Sequence, residues 1–120
     1  MHEMGIALQI VRIATEAIPD EAKNIPIKKV NIQVGKLTAV VPESLRFCFE
    51  VAIKDTPLKG AELSIEELPI RGRCPKCQSE WTITDPEFMC KKCEDGDIDI
   101  ISGQELHVTS IEISDKKNRD

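Results

Sequence analysis

The 120 residues contain no tyrosine, one tryptophan and three phenylalanines. So sparse an aromatic set argues against a stacking surface for single-stranded nucleic acid. A basic excess is missing too: 16 Lys and Arg stand against 21 Asp and Glu, for a formal charge of −5. An acidic chain repels phosphate backbones and favours cations or basic partner surfaces. No stretch approaches 18 uninterrupted apolar residues, so no membrane span is expected. The N-terminus has no basic leader and carries Arg12 inside its first apolar stretch, so no secretory signal is expected either. No nucleophile–base pair, phosphate-binding glycine loop or dinucleotide fingerprint occurs, and no enzyme activity is expected. The compartment implied is cytoplasmic and reducing. Paired cysteines there serve as metal ligands or redox groups rather than structural disulfides.

What is present reads as a single α+β domain carrying a small insert. From Met4 to about Ile18 the pattern is helical, with Met4, Ala7, Leu8, Val11, Ala14 and Ile18 on one face. Ile6, Ile10, Ile13 and Ala17 widen that face, and Pro19 ends the helix. Val30, Ile32 and Val34 alternate with Asn31 and Gln33, which predicts a half-buried strand. Pro42-Glu43-Ser44 opens a second helix whose buried face is Leu45, Cys48, Phe49, Ala52 and Ile53. Leu63 and Ile65 alternate with Glu62, Ser64 and Glu66 in a second strand. In the last strand Leu106 and Val108 have the opposite parity to Ile111 and Ile113. A bulge near Thr109-Ser110, or burial on both faces, is therefore expected. Two helices packed on a three-stranded sheet accommodate this order. Strands 61–67 and 104–113 are expected to pair antiparallel, with the cysteine segment extruded between them.

That segment holds Cys74-Pro-Lys-Cys77 and Cys90-Lys-Lys-Cys93, 12 residues apart. Two thiolates from each knuckle close a tetrahedral S₄ site of the zinc-ribbon kind, with metal–sulfur bonds of about 2.3 Å. Four thiolates leave no open position, which points to structure rather than catalysis. Lys76, Lys91, Lys92, Arg71 and Arg73 are near enough in sequence to balance its charge. Iron also accepts four sulfurs. A rubredoxin-like site places glycine and aromatics beside its knuckles, however, and here Gln78 and Glu94 follow them. Trp81, Ile83, Ile98 and Ile100 alternate in short strands that would bury the metal. Cys48 reads as core, and His107 as a surface-strand histidine.

The other chemically legible stretch is Met1-His2-Glu3, at the tip of the first helix. Bulky His2 disfavours removal of Met1, so the α-amine is expected to persist. That amine, the His2 backbone nitrogen and His2 Nδ1 can close fused five- and six-membered chelate rings. Three nitrogens in one plane suit Ni(II) or Cu(II). The fourth corner stays open for the Glu3 amide or an external ligand, as befits a metal that must be passed on. The first N–H groups of a helix have no intrahelical acceptor, so displacing their protons breaks no helical hydrogen bond. The plainer alternative is a frayed, functionless His2. On that alternative the chain is a zinc-ribbon module for protein or nucleic-acid interaction.

Several segments resemble one family when taken in order. They are Met1-His2-Glu3-Met4 with Ile6-Ala7-Leu8, Val34-Gly35-Lys36-Leu37, and Pro42-Glu43-Ser44-Leu45-Arg46-Phe47. Thr56-Pro57-Leu58, Gly60-Ala61 and Leu63-Ser64-Ile65-Glu66-Glu67 follow. The two C-x-x-C pairs and Gly103-Gln104-Glu105-Leu106, leading to Ser110-Ile111-Glu112, complete the set. Across nearly the whole chain they resemble the HypA family of hydrogenase nickel-incorporation proteins. The resemblance implies a nickel metallochaperone, with Ni(2+) as transient cargo at His2, Met1 and Glu3. It implies structural Zn(2+) on Cys74, Cys77, Cys90 and Cys93. The domains implied are 1–70 with 103–114 for nickel and 71–102 for zinc, followed by a mobile tail, 115–120. The partners implied are the nickel-handling GTPase HypB and the large subunit of a [NiFe]-hydrogenase, with urease maturation served in some relatives. The chain would act as a monomer or homodimer, without nucleic acid. Two positions depart from the family pattern. Val41 stands where an acidic residue is common, with Glu43 the nearest substitute, and glycine is missing after both Cys77 and Cys93.

Overall fold

The computed structural model describes residues 3–84, 88–94 and 96–114. Met1 and His2, and the proposed tail 115–120, lie outside the described residues. The order is α1 (Glu3–Glu16), β1 (Ile27–Gly35), α2 (Pro42–Ala52), β2 (Glu62–Leu68), β3 (Arg71–Arg73), β4 (Glu80–Thr82), β5 (Asp99–Ser102) and β6 (Leu106–Ile113). Short 3-10 turns at Asp20–Ala22 and Lys36–Thr38 fill the connections around β1. The fold is α+β, two helices with two three-stranded sheets. No described helix is long and apolar enough to cross a membrane.

The chain forms two compact units. The first takes the described residues of Met1–Gln33, Val40–Glu66 and His107–Asp120, and the second takes Val34–Ala39 and Glu67–Leu106.

In the first unit α1 and α2 pack against one another. Ala7, Ile10 and Ala14 of α1 are buried, as are Leu45 and Phe49 of α2 with Ile53 just beyond it. Ile27, Val30 and Ile32 of β1 and Leu63 of β2 complete the core with Leu58 and Ala61. The apolar face of α1 is wider than the surface it packs on. Met4, Leu8 and Ile13 stay exposed, Leu8 by 54%. The helix also ends at Glu16, before the expected Ile18. Ala17 N–H is shared between Ile13 and Ala14 carbonyls, and Ile18 N–H reaches Thr15. The last turn thus tightens ahead of Pro19, whose ring disfavours α geometry in the residue before it. Cys48 is half-buried on α2 rather than fully enclosed.

The first sheet runs β2-β1-β6. This corrects the expected pairing of strands 61–67 and 104–113: β1 lies between them. β1 supplies the apolar alternation that makes the best central strand, while β2 and β6 keep one side open. Ser114 N–H meets the Pro26 carbonyl near one end of β1, and His107 meets Gln33 near the other. Partner numbers therefore run in opposite directions, and β6 is antiparallel to β1. The polar face of β6 changes parity as the sequence predicts. His107 faces Gln33, but Ser110 and Glu112 both accept from Asn31 Nδ2, at 3.0 and 2.9 Å. At the change, Thr109 donates its hydroxyl to the Asn31 carbonyl at 3.1 Å. Val108 and Ile111 are correspondingly half-buried.

The second unit holds the sheet β4-β3-β5, both pairings antiparallel. Its centre is Gly72. A Cβ there would come to 3.1 Å from Ile83 Cδ1, 3.2 Å from Ile98 Cδ1 and 3.6 Å from Trp81. The missing side chain is what lets the three apolar residues close over the strand. Gly35 and Gly103 meet backbone to backbone in the same unit. A Cβ on Gly35 would fall inside the Gly103 carbonyl group. Leu37 N–H donates to the Gly103 carbonyl at 2.8 Å, and Gly35 N–H to the Glu105 carbonyl at 2.7 Å. Gly103 itself has φ of +114°, a conformation that glycine adopts at no steric cost.

Candidate metal centre

Each cysteine pair is shaped by a tight turn. After Cys74, the Gln78 N–H donates to the Cys74 carbonyl at 2.8 Å, and the Cys74 N–H to the Ser79 carbonyl at 2.9 Å. Gln78 sits at φ +65°, and Glu94, in the equivalent place after Cys93, at +51°. Both are left-handed positions, and glycine would relieve them. Gln78 compensates in part by donating Nε2 to the Pro75 carbonyl at 3.1 Å.

The turns bring the four sulfurs of Cys74, Cys77, Cys90 and Cys93 within 4.8 Å of one another. Cys74 and Cys93 stand 3.8 Å apart, and Cys77 and Cys90 3.7 Å. A regular tetrahedron with metal–sulfur bonds of about 2.3 Å has edges of about 3.8 Å. The donor set and its spacing therefore fit a four-coordinate ion. Cys74 and Cys90 are buried, and Cys77 and Cys93 face solvent, one of each kind from either pair.

The thiols are electrostatically unequal. The Ser79 hydroxyl, 3.2 Å from Cys77 Sγ, and the Ser79 backbone stabilise the thiolate and hold its pKa down to about 6. Cys93 is pushed up to about 12, first by its hydrogen bond to Cys74, then by that to Cys77. A metal must displace the Cys93 proton to gain its fourth sulfur. Ser79 was not foreseen; its signal in the sequence is a hydroxyl two residues beyond the second cysteine of a pair. The two nearby arginines are engaged with strand carboxylates. Arg71 pairs with Glu80 at 3.9 Å and donates to Thr82 at 2.8 Å, and Arg73 pairs with Asp99 at 4.0 Å. Lys91 and Lys92 stand between Cys90 and Cys93. With Trp81 they line a cleft of about 400 Å³ that reaches Cys90.

Of the expected nickel residues, Met1 and His2 lie outside the described residues. Glu3 opens α1, and its Oε2 accepts the Val41 backbone N–H at 3.3 Å. His107 is placed on the open sheet face. Gln33 donates Nε2 to Glu66 at 3.0 Å, which leaves its Oε1 to accept from His107 Nε2 at 2.9 Å. Among the described residues, the four cysteines form the one cluster of three or more potential ligands.

Comparison with known proteins places this geometry among relatives. A family model described as hydrogenase/urease nickel incorporation, metallochaperone, HypA matches residues 1–113. The hydrogenase maturation factor HypA of Desulfatibacillum aliphaticivorans is 60% identical over 115 residues, covering 96% of this chain and 88% of its own. That of Desulfosudis oleivorans is 59% identical, covering 96% of this chain and all of its own. The solution structure of the nickel metallochaperone HypA from Helicobacter pylori aligns with a TM-score of 0.64 at 22% identity, over 94% of this chain and 97% of its own. A second HypA solution structure aligns at 0.70, over 95% and 97%. At that identity the structures speak for the fold.

Proposed function

The chain belongs to the HypA family of hydrogenase/urease nickel-incorporation metallochaperones, maturation factors rather than enzymes, and on that premise we propose that it binds Ni(II) at its N-terminus and delivers it during maturation of [NiFe]-hydrogenase. The observation that carries this is the four-cysteine cluster. Its four sulfurs complete the coordination of one ion and leave no open corner, so a cargo ion needs other donors. Of the two histidines, His107 is engaged with Gln33, and His2 remains. His2 imidazole, the Met1 amine and the first amides supply nitrogens suited to Ni(II), with Glu3 assisting. Cys74, Cys77, Cys90 and Cys93 hold Zn²⁺, which supplies cross-linking of the second unit rather than chemistry. Residues 1–70 and 103–114 then serve nickel, and 71–102 serve zinc. The partners are HypB, which supplies GTPase activity, and the hydrogenase large subunit as acceptor, all in the cytoplasm. Urease maturation is a second client of the same cargo chemistry.

The test uses untagged protein. His2→Ala should lose nickel while keeping one zinc and its fold. Unchanged nickel affinity in that variant by calorimetry rejects the site.

A further inference from the structure

α2 begins where its own sequence leaves it uncapped. Serine, threonine, aspartate and asparagine are the usual caps because their side-chain oxygens accept the free N–H groups of the first turn. Here the capping position is Val41, with φ −90° and ψ 113°, and no side chain bonds the turn from it. Pro42 follows and brings no N–H. The Val41 carbonyl is already engaged, accepting Leu45 N–H at 3.0 Å. Its N–H goes to Oε2 of Glu3, 38 residues earlier, at 3.3 Å. One carboxylate thus stands at the positive ends of two helices, where the macrodipole of each favours it. Both residues belong to the first compact unit.

We infer that Glu3 is a positioning residue: its carboxylate latches the start of α1 to the first turn of α2 through the Val41 amide, and it serves nickel by holding the tip in place rather than by ligating the ion. The nickel half of this rests on the proposed N-terminal site. The latch itself rests on the hydrogen bond and the unfilled cap. Glu3 gives the Val41 N–H, one of the free donors at the start of α2, an acceptor from another element of the same unit. Glutamine at position 3 would keep an oxygen for the amide but would be a far poorer donor to a cation, and this separates latch from ligand.

The experiment uses the untagged, zinc-loaded full chain. Without nickel, Glu3→Ala should speed exchange of the Val41 amide about tenfold, the scale of a hydrogen bond to a charged group. Glu3→Gln should retain most of the protection. With nickel, Glu3→Gln should stay within about threefold of the wild-type affinity and keep its absorption spectrum, since the ligand nitrogens are untouched. Val41→Pro removes the donor and leaves Glu3 in place. It should weaken nickel by the same factor as Glu3→Ala, and the double variant no further, as two ends of one interaction do. Unchanged Val41 exchange in Glu3→Ala overturns the latch. A Glu3→Gln variant that loses as much nickel affinity as Glu3→Ala, with a shifted spectrum, makes the carboxylate a ligand and overturns the positioning role. If wild-type protein binds no nickel at its N-terminus, the functional reading fails and the positioning role with it, while the exchange comparison still decides the latch.

Discussion

Removing the metal from the four-cysteine cluster should unfold Val34–Ala39 and Glu67–Leu106 and leave the first unit folded. The second unit has some 46 residues, and the buried apolar side chains described in it are Val34, Ile83 and the cysteines Cys74 and Cys90. At the usual 0.05–0.15 kcal/mol per residue, a stretch of that length carries about 2–7 kcal/mol of stability. A structural zinc ion contributes roughly 10 kcal/mol or more. The metal term exceeds the whole margin, so the ion-free unit should be open even though its sheet is in register. The first unit keeps Phe49, Leu45, Ile32 and Val30 fully enclosed and owes nothing to the ion. Trp81, the single tryptophan, lies on β4 and reports on the second unit alone. Chelation should red-shift its emission. Amide protection should be lost in β3, β4 and β5 while it persists in α1, α2 and β1 as far as Gln33. Readdition of zinc should restore both signals. Retained protection in β3–β5, after elemental analysis shows the ion gone, would mean that Trp81, Ile83 and Ile98 packed over Gly72 suffice, and the reasoning would be refuted.

Phe49→Ala, at the centre of the first core, should cost about 3–5 kcal/mol in denaturant unfolding, because the enclosed ring leaves a cavity. Two glycine-to-alanine changes should differ in sign. At Gly35 the new methyl meets Gly103 backbone, and stability should fall by about 3 kcal/mol. At Gly5, inside α1, nothing lies within 4 Å of the added carbon, and stability should rise by about 0.5–1 kcal/mol. Gln78→Gly and Glu94→Gly should each stabilise the metal-bound protein by about 0.5–1 kcal/mol by relieving the left-handed turns, read as a higher melting temperature. An unchanged or lower melting temperature for both would show that the left-handed turns carry no strain that glycine relieves.

How much of the molecule was legible in advance varies by element. Pro42 marked the start of α2 to the residue, because a missing N–H fits only where no helical bond is needed. The cysteine cluster was legible because two C-x-x-C turns encode the site locally and their spacing needs only a short sheet to join them. The parity change in β6 was legible because alternation reports the face each side chain takes, whatever the partner strand. The wide arc of α1 was read correctly as apolar, but how much of it would be covered depended on how α2 and the sheet were laid against it.

The amino-acid order by itself determined the element types, the two C-x-x-C knuckles and the donor set of four sulfurs, since each follows from local stereochemistry or from spacing within one short segment. The tertiary structure alone decided that β1 lies between β2 and β6, that the arginines of β3 pair with strand carboxylates, and that Glu3 accepts a backbone N–H 38 residues away. These are contacts between distant parts of the chain. Their energies depend on which surfaces meet, and no local pattern specifies that.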